Sequence, residues 1–180
     1  MLSNKILSLQ CVSPKDAGLL ATWRFSEENY DFFYEFVPTT KEHNEKWIEN
    51  ILNKKNELNL IAYEKENNRP VGMISLIDID QRNQKCEIGR VLIGNAEDRK
   101  KGYGKHLLSL VLEYAFLHLN MRKVYLEVFA DNASAVRFYE KAGFIQDGRF
   151  VKHIYKNGTF KDVLHMSLFK KESYPERSSL

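Results

Sequence analysis

One stretch constrains this chain more than any other: Val91-Leu-Ile-Gly-Asn-Ala-Glu-Asp-Arg-Lys-Lys-Gly-Tyr-Gly-Lys105. An apolar run feeds a basic segment with two glycines, and behind it lies an apolar stripe at helical spacing. The stripe comprises Leu107, Leu108, Val111, Leu112, Ala115, Phe116 and Leu119. The pattern predicts a strand, a tight loop and a long amphipathic helix. Gly102 and Gly104 carry no Cβ, so the loop backbone can close around a ligand. The helix start adds unpaired N–H donors and the positive end of its dipole. Arg99, Lys100, Lys101 and Lys105 bring further positive charge to the same place. The physical expectation is a di- or polyphosphate site; the plain alternative is a surface loop with a basic helix cap. Two familiar phosphate loops do not fit, because no Gly-Lys-Ser/Thr occurs here and Gly102-x-Gly104 lacks a third glycine at the required place.

The rest of the chain supplies the frame. Ile6 to Val12 reads as a first strand, and Ser13-Pro14-Lys15-Asp16 as a capped helix start running through Trp23. Phe25 to Val37 is rich in aromatics and reads as a short helix or a loop. A second capped start at Thr39-Thr40-Lys41-Glu42 precedes Trp47, Ile48, Ile51 and Leu52 at helical spacing. Leu58–Tyr63, Val71–Ile79 and Glu87–Ile93 read as a meander, with turns at Asn67–Pro70 and Gln81–Gln84. After the long helix come a strand (Val124–Phe129), a helix (Ala133–Lys141) and a final hairpin turning at Asn157-Gly158. The expectation is one α+β domain over residues 1–180, with a central mixed sheet of about seven strands, helices on both faces and a polar tail at 171–180.

Composition narrows the function classes. A net charge of +3, spread along the chain, is too weak a bias to argue for nucleic acid. No apolar run approaches the roughly 18 residues that span a membrane, and the N-terminus lacks a signal-peptide layout. Cys11 and Cys86 lie far apart without metal-ligand spacing and read as buried thiols, so no metal is expected. These features point to the cytoplasm, to no nucleic-acid or membrane partner, and to a monomer or homodimer.

Two motifs carry a family resemblance. Arg99-Lys-Lys-Gly102-Tyr-Gly104 resembles the R/Q-x-x-G-x-G/A signature of the GNAT acetyltransferases, and Asn132-Ala-Ser-Ala-Val-Arg-Phe-Tyr139-Glu-Lys-Ala-Gly143-Phe144 resembles their second signature. The likeness runs from about Leu58 to Phe169, more loosely to the N-terminus. It implies an acetyl-CoA-dependent N-acetyltransferase of GNAT-like fold, with Arg99, Lys100, Lys101, Gly102, Tyr103, Gly104 and Lys105 at the pyrophosphate. It further implies that Val91, Leu92 and Ile93 run beside the pantetheine arm, with the thioester entering a splay in the sheet. Asn132 would bond that arm, and Ala135 and Phe138 would pack on the coenzyme. Tyr139 would serve the leaving thiolate; its plain reading is a half-buried aromatic at helical spacing from Ala135 and Ala142. Glu87 would act as base through a water, sharing a face with Gly89 and Val91 by alternation; otherwise it attracts the cationic acceptor or is a surface charge. His106, His153 and His165 are weaker candidates for the base.

Within the superfamily, Glu-Ile-Gly, Phe-Tyr-Glu-Lys-Ala-Gly-Phe and the ending from Gly148 to Leu164 resemble the RimJ/RimL-like branch, which holds protein N-terminal, spermidine and amino-sugar acetyltransferases. The run from Trp23 to Asn53 resembles the amino-sugar N-acetyltransferase of pseudaminic acid synthesis. Arg90 departs from the aromatic common at that place. Aromatics Phe32, Phe33, Tyr34 and Phe36 would line the acceptor pocket or belong to the core. Glu27, Glu28, Asp31 and Glu35 would form an acidic lining or a solvated helix face. The competing readings are a coenzyme A-binding regulatory module without catalysis and a nucleic-acid-binding protein.

Overall fold

The computed structural model describes residues 2–31, 33–34 and 40–170. Phe32, Glu35, Phe36 and the tail at 171–180 lie outside the described residues, as do the side chains of Glu27 and Glu28. Among the described residues eight strands form one sheet: β1 (Leu2–Ser3), β2 (Leu7–Cys11), β3 (Leu58–Glu64), β4 (Arg69–Asp80), β5 (Lys85–Ile93), β6 (Lys123–Phe129), β7 (Ile145–Lys156) and β8 (Thr159–Phe169). Their order is β1-β2-β3-β4-β5-β6-β8-β7, antiparallel except where β5 meets β6. The sequence suggested about seven strands. The eighth is the two-residue β1, too short for a periodic signal.

Five α-helices accompany the sheet among the described residues: α1 (Ala17–Phe25), α2 (Glu27–Tyr30), α3 (Lys41–Leu52), α4 (Tyr103–Glu113) and α5 (Ala133–Lys141). The Asp16 carboxylate accepts from the Ser13 backbone N–H at 2.8 Å and from its hydroxyl at 2.9 Å, closing the turn that leads into α1. Thr40 caps α3 by accepting from the His43 N–H at 3.1 Å. Helix α4 is the parallel crossover from β5 to β6, extended by a wider π turn over Tyr114–His118. Its apolar stripe packs one face of the sheet, where Leu107, Val111 and Ala115 are fully buried. Truncating Leu107 to alanine is expected to cost about 2–5 kcal/mol of stability. Tyr139 of α5 joins this same core, while Leu20 and Trp23 of α1 and Ile48 of α3 cover the opposite face. Helices therefore lie on both faces.

Some local expectations change. The β3–β4 turn falls at residues 65–68, with Asn68 at φ +50°, and Arg69 and Pro70 already belong to β4. Cys86 is buried, and burial raises its thiol to about 12, but Cys11 at the end of β2 is exposed. Asn157 and Gly158 take φ +50° and +78°, the doubly left-handed turn expected for that hairpin.

Candidate active site

Strands β5 and β6 pair in parallel only through Lys85–Lys123, Cys86–Val124 and Glu87–Tyr125. Beyond Glu87 no pairing between them continues among the described residues, and the strands diverge around a cleft of about 460 Å3. Ile88 to Ile93 form one wall and Glu127 to Phe129 the other, with α5 closing one end through Ala135, Phe138 and Tyr139. The edge of β5 that faces β6 is thus open to an extended ligand along this stretch.

A bulge sets the geometry of that wall. Gly89 pairs with Ser75 and Leu92 with Met73, so β5 carries one residue more than β4 between these pairs, and Arg90 sits at φ +54°. The extra residue reverses the alternation. Cys86 and Ile88 pack with α4, and so do Val91 and Ile93; Leu92 joins the opposite core beneath α1 and α3. Glu87 therefore shares its face with Gly89 and Leu92 instead of Val91. Arg90 is held beside the wedge: its guanidinium donates to Glu57 at 2.9 Å and Asn59 at 3.0 Å, and lies over the Trp47 ring.

At the loop end of the cleft, residues 96–101 form a 3-10 turn that hands over to α4 at Gly102, whose φ is +80°. A left-handed backbone there explains the glycine. Arg99 and Gly104 line the cleft. Asp98 is buried under the loop, where Arg69 donates to it twice, at 2.7 and 3.0 Å, and Lys101 donates at 2.9 Å. These cations hold its carboxyl down at about 2. Lys101 is thus paired and Lys100 exposed. Tyr103 turns its ring into the core and donates to Glu64, and Lys105 lines a separate groove beside α4 and α5. The Asn132 carboxamide oxygen caps α5, accepting from the Ala135 N–H at 3.1 Å.

At the other end the charge is negative. Burial raises the Glu87 carboxyl to about 7, and Glu127 and Asp78 push the same way against the opposing pull of Arg90. Burial, Glu127 and Glu87 likewise raise Tyr34, which lies edge-on to Phe129 at 4.8 Å. Tyr139 is buried between Phe138 and Phe144 with its ring on the cleft, and burial raises its phenol to about 12. Among the charges flanking this end, Arg90 is matched by Glu57, leaving Glu87 and Glu127 to dominate. Glu127 carries no signal in the family motifs. Its trace in the sequence is one acid in the otherwise apolar and aromatic Val124–Phe129 run. His165 pairs in register with Glu127 but bonds to Asp147, and His106 and His153 do not line the cleft. Among the described residues, no helix is long and apolar enough to cross a membrane, and no cluster of three or more His, Cys, Asp or Glu is placed to hold a metal.

Residues 22–144, which contain the splayed strands, the left-handed glycine and Tyr139, match the model of the acetyltransferase (GNAT) family. The chain belongs to the GNAT acetyltransferase family. It is 30% identical over 169 residues to the SPbeta prophage-derived uncharacterized N-acetyltransferase YokL of Bacillus subtilis, covering 92% of this chain and 91% of that protein. It is 33% identical over 108 residues to the spermidine N(1)-acetyltransferase of Vibrio cholerae, a match spanning 60% of this chain and 61% of that enzyme, less than two thirds of its length. The fold matches the crystal structure of a Vibrio cholerae spermidine N-acetyltransferase in complex with CoA and spermine. There the TM-score is 0.83 and the identity 24%, over 92% of this chain and 96% of that one. This GNAT fold has the residues to accept acetyl-CoA, the donor the family uses: an open strand edge for the arm and a glycine-bearing basic loop at a helix start.

Proposed function

We propose that this chain transfers the acetyl group of acetyl-CoA to a primary amine of a cationic small molecule, by direct attack within a ternary complex. The observation that carries the proposal is the wedge between β5 and β6, positive at the loop end and lined by Glu127 at the other, where Glu87 is buried at the last residue pair that joins the two strands. The loop amides around Gly102 and Gly104, with Arg99 and the field of Lys100, Lys101 and Lys105, take the pyrophosphate. Val91 to Ile93 run beside the pantetheine arm, Asn132 bonds it through its NH2 group, and Ala135 and Phe138 pack against it. A backbone N–H near Leu92 steadies the developing oxyanion.

The acceptor arrives as an ammonium with an ordinary pKa near ~10.4 and must lose a proton. Glu87, with its carboxyl near 7, is part ionised at neutral pH and takes that proton through a water. The amine nitrogen then bonds to the thioester carbon, and the carbon–sulfur bond breaks as the tetrahedral intermediate collapses. The second amine proton ends on the coenzyme thiol, so ammonium and thioester yield amide, thiol and one free proton. Tyr139 serves the sulfur chiefly as a hydrogen-bond donor. A phenol near 12 gives up its proton only uphill to a thiolate whose thiol titrates near ~8.5.

Two carboxylates where one base suffices favour an acceptor with more than one positive charge, and the spermidine N(1)-acetyltransferase relative points the same way. The test is product mass spectrometry with acetyl-CoA and a panel of polyamines, peptides, amino sugars and aminoglycosides. Thiol release with an acetylated polyamine is expected. Acetylation confined to singly charged amines contradicts the acceptor class, and coenzyme binding without thiol release from any amine favours a non-catalytic coenzyme A-binding module.

A further inference from the structure

Asn29 is a fully buried polar residue at the loop end of the cleft, outside both motifs. It lies on α2, only four residues long and too short to hold its own shape. Its Nδ2 donates to the Trp23 carbonyl at 2.8 Å and to the Gly94 carbonyl at 3.0 Å. The first of these is a carbonyl near the end of α1 that also accepts from the Ser26 hydroxyl at 3.2 Å. Its Oδ1 accepts from the Arg99 guanidinium. One carboxamide thus ties three places far apart in sequence: the end of α1, the end of β5 and the basic loop. The knot is tight. A Cβ on Gly94 would sit 2.1 Å from the Trp23 indole, so only glycine lets β5 end against that ring. The other end of α2 is fastened by Lys156, whose buried Nζ donates to the Tyr30 carbonyl at 2.9 Å and to the Phe33 carbonyl. Phe33 and Tyr34, just past this helix, line the acceptor end of the same cleft.

We infer that Asn29 is a positioning residue for the donor: it orients the Arg99 guanidinium for the diphosphate, and it does so from the segment that also lines the acceptor end. The inference rests on the proposed reading of the loop. A guanidinium held by a fixed oxygen meets a phosphate already oriented, whereas an untethered arginine must be ordered by the ligand itself.

The experiment compares two donors, acetyl-CoA and S-acetylpantetheine, which carries the same thioester arm without the pyrophosphate or nucleotide. Arg99→Ala sets the reference. Asn29→Ala is expected to raise KM for acetyl-CoA about tenfold, the scale of one lost charge-assisted hydrogen bond. Its kcat/KM for S-acetylpantetheine should stay within about twofold of the parent. Adding Arg99→Ala to Asn29→Ala should cost no more than Arg99→Ala alone. Asn29→Ser keeps a small polar group that is too short to reach Arg99, so it should show the same donor-specific loss and serves if the alanine variant does not fold. Equal losses on both donors, or no loss on either, overturn the inference. If Arg99→Ala discriminates between donors and neither Asn29 variant does, this inference fails while the loop reading stands. If Arg99→Ala itself leaves both donors unaffected, the loop reading fails first.

Discussion

The two ends of the cleft are built in opposite ways. The end proposed for the coenzyme is nearly contiguous: Val91 to Lys105 supplies strand, turn and helix start, and α5 adds Asn132 to Tyr139 some thirty residues on. The end proposed for the acceptor is assembled across the chain, with Glu127 from β6, Tyr34 after α2, buried Glu87 at the foot of the wedge, and Arg90 leaning on Trp47 of α3 and Glu57 ahead of β3. A diphosphate and a thioester arm demand backbone amides and an open strand edge, which one continuous segment can offer. An amine acceptor demands charge at a particular place, which any element crossing that place can supply. The difference explains why the donor is readable from motifs while the acceptor depends on how the sheet is put together.

Tyr139→Phe should slow the chemical step and spare donor binding. Turnover is expected to fall about a hundredfold with unchanged KM for acetyl-CoA, measured by steady-state thiol release. Unchanged turnover removes the tyrosine from the reaction. Gly102→Val should do the reverse. Within the protein a Cβ at Gly102 meets nothing within 4 Å, so the variant should fold with only the backbone strain of a branched residue at φ +80°, about 1–2 kcal/mol. Its affinity for acetyl-CoA should drop about tenfold or more by calorimetry, because the side chain stands where phosphate must approach. Full binding by this variant detaches the loop from the coenzyme.

The smallest effect sharpens the comparison most. Glu87 acts as a base only when ionised, so kcat/KM should rise with pH through about 7. Glu127→Gln removes a negative charge that holds the Glu87 proton on. The Glu87 pKa should therefore fall, and the acid limb should move to lower pH by roughly half a unit to one unit. A limb that stays in place separates Glu127 from the base. A limb that moves upward contradicts the sign of the electrostatics.

How much was legible in the sequence follows the same division. Helical spacing in α4, the caps at Ser13 and Thr40 and the Asn157-Gly158 turn are local signals, and each element forms where its residues place it. The bulge at Arg90 is different. Simple alternation puts Glu87 and Val91 together, and one inserted residue separates them, because register is settled by the β4 partner and not by β5 itself. Arg90 stood out in the sequence only as a departure from an aromatic, and its pairing with Glu57 depends on where the β3 lead-in lies. Asn29, inside Glu27-Glu28-Asn29-Tyr30, looks like a polar helix face; only the long-range approach of Gly94 and Arg99 makes it a buried knot. Glu127 had a trace, a lone acid in an apolar strand, but its partner across the wedge lies forty residues earlier.

The central claim is that the wedge between β5 and β6 holds an acetyl thioester anchored by its diphosphate at the loop before α4. Titration calorimetry of the intact protein with acetyl-CoA tests it most directly. The account predicts one site per chain, with affinity lost in stages as coenzyme A is shortened to a donor lacking the diphosphate. No measurable binding of acetyl-CoA, or equal affinity for the shortened donor, contradicts it.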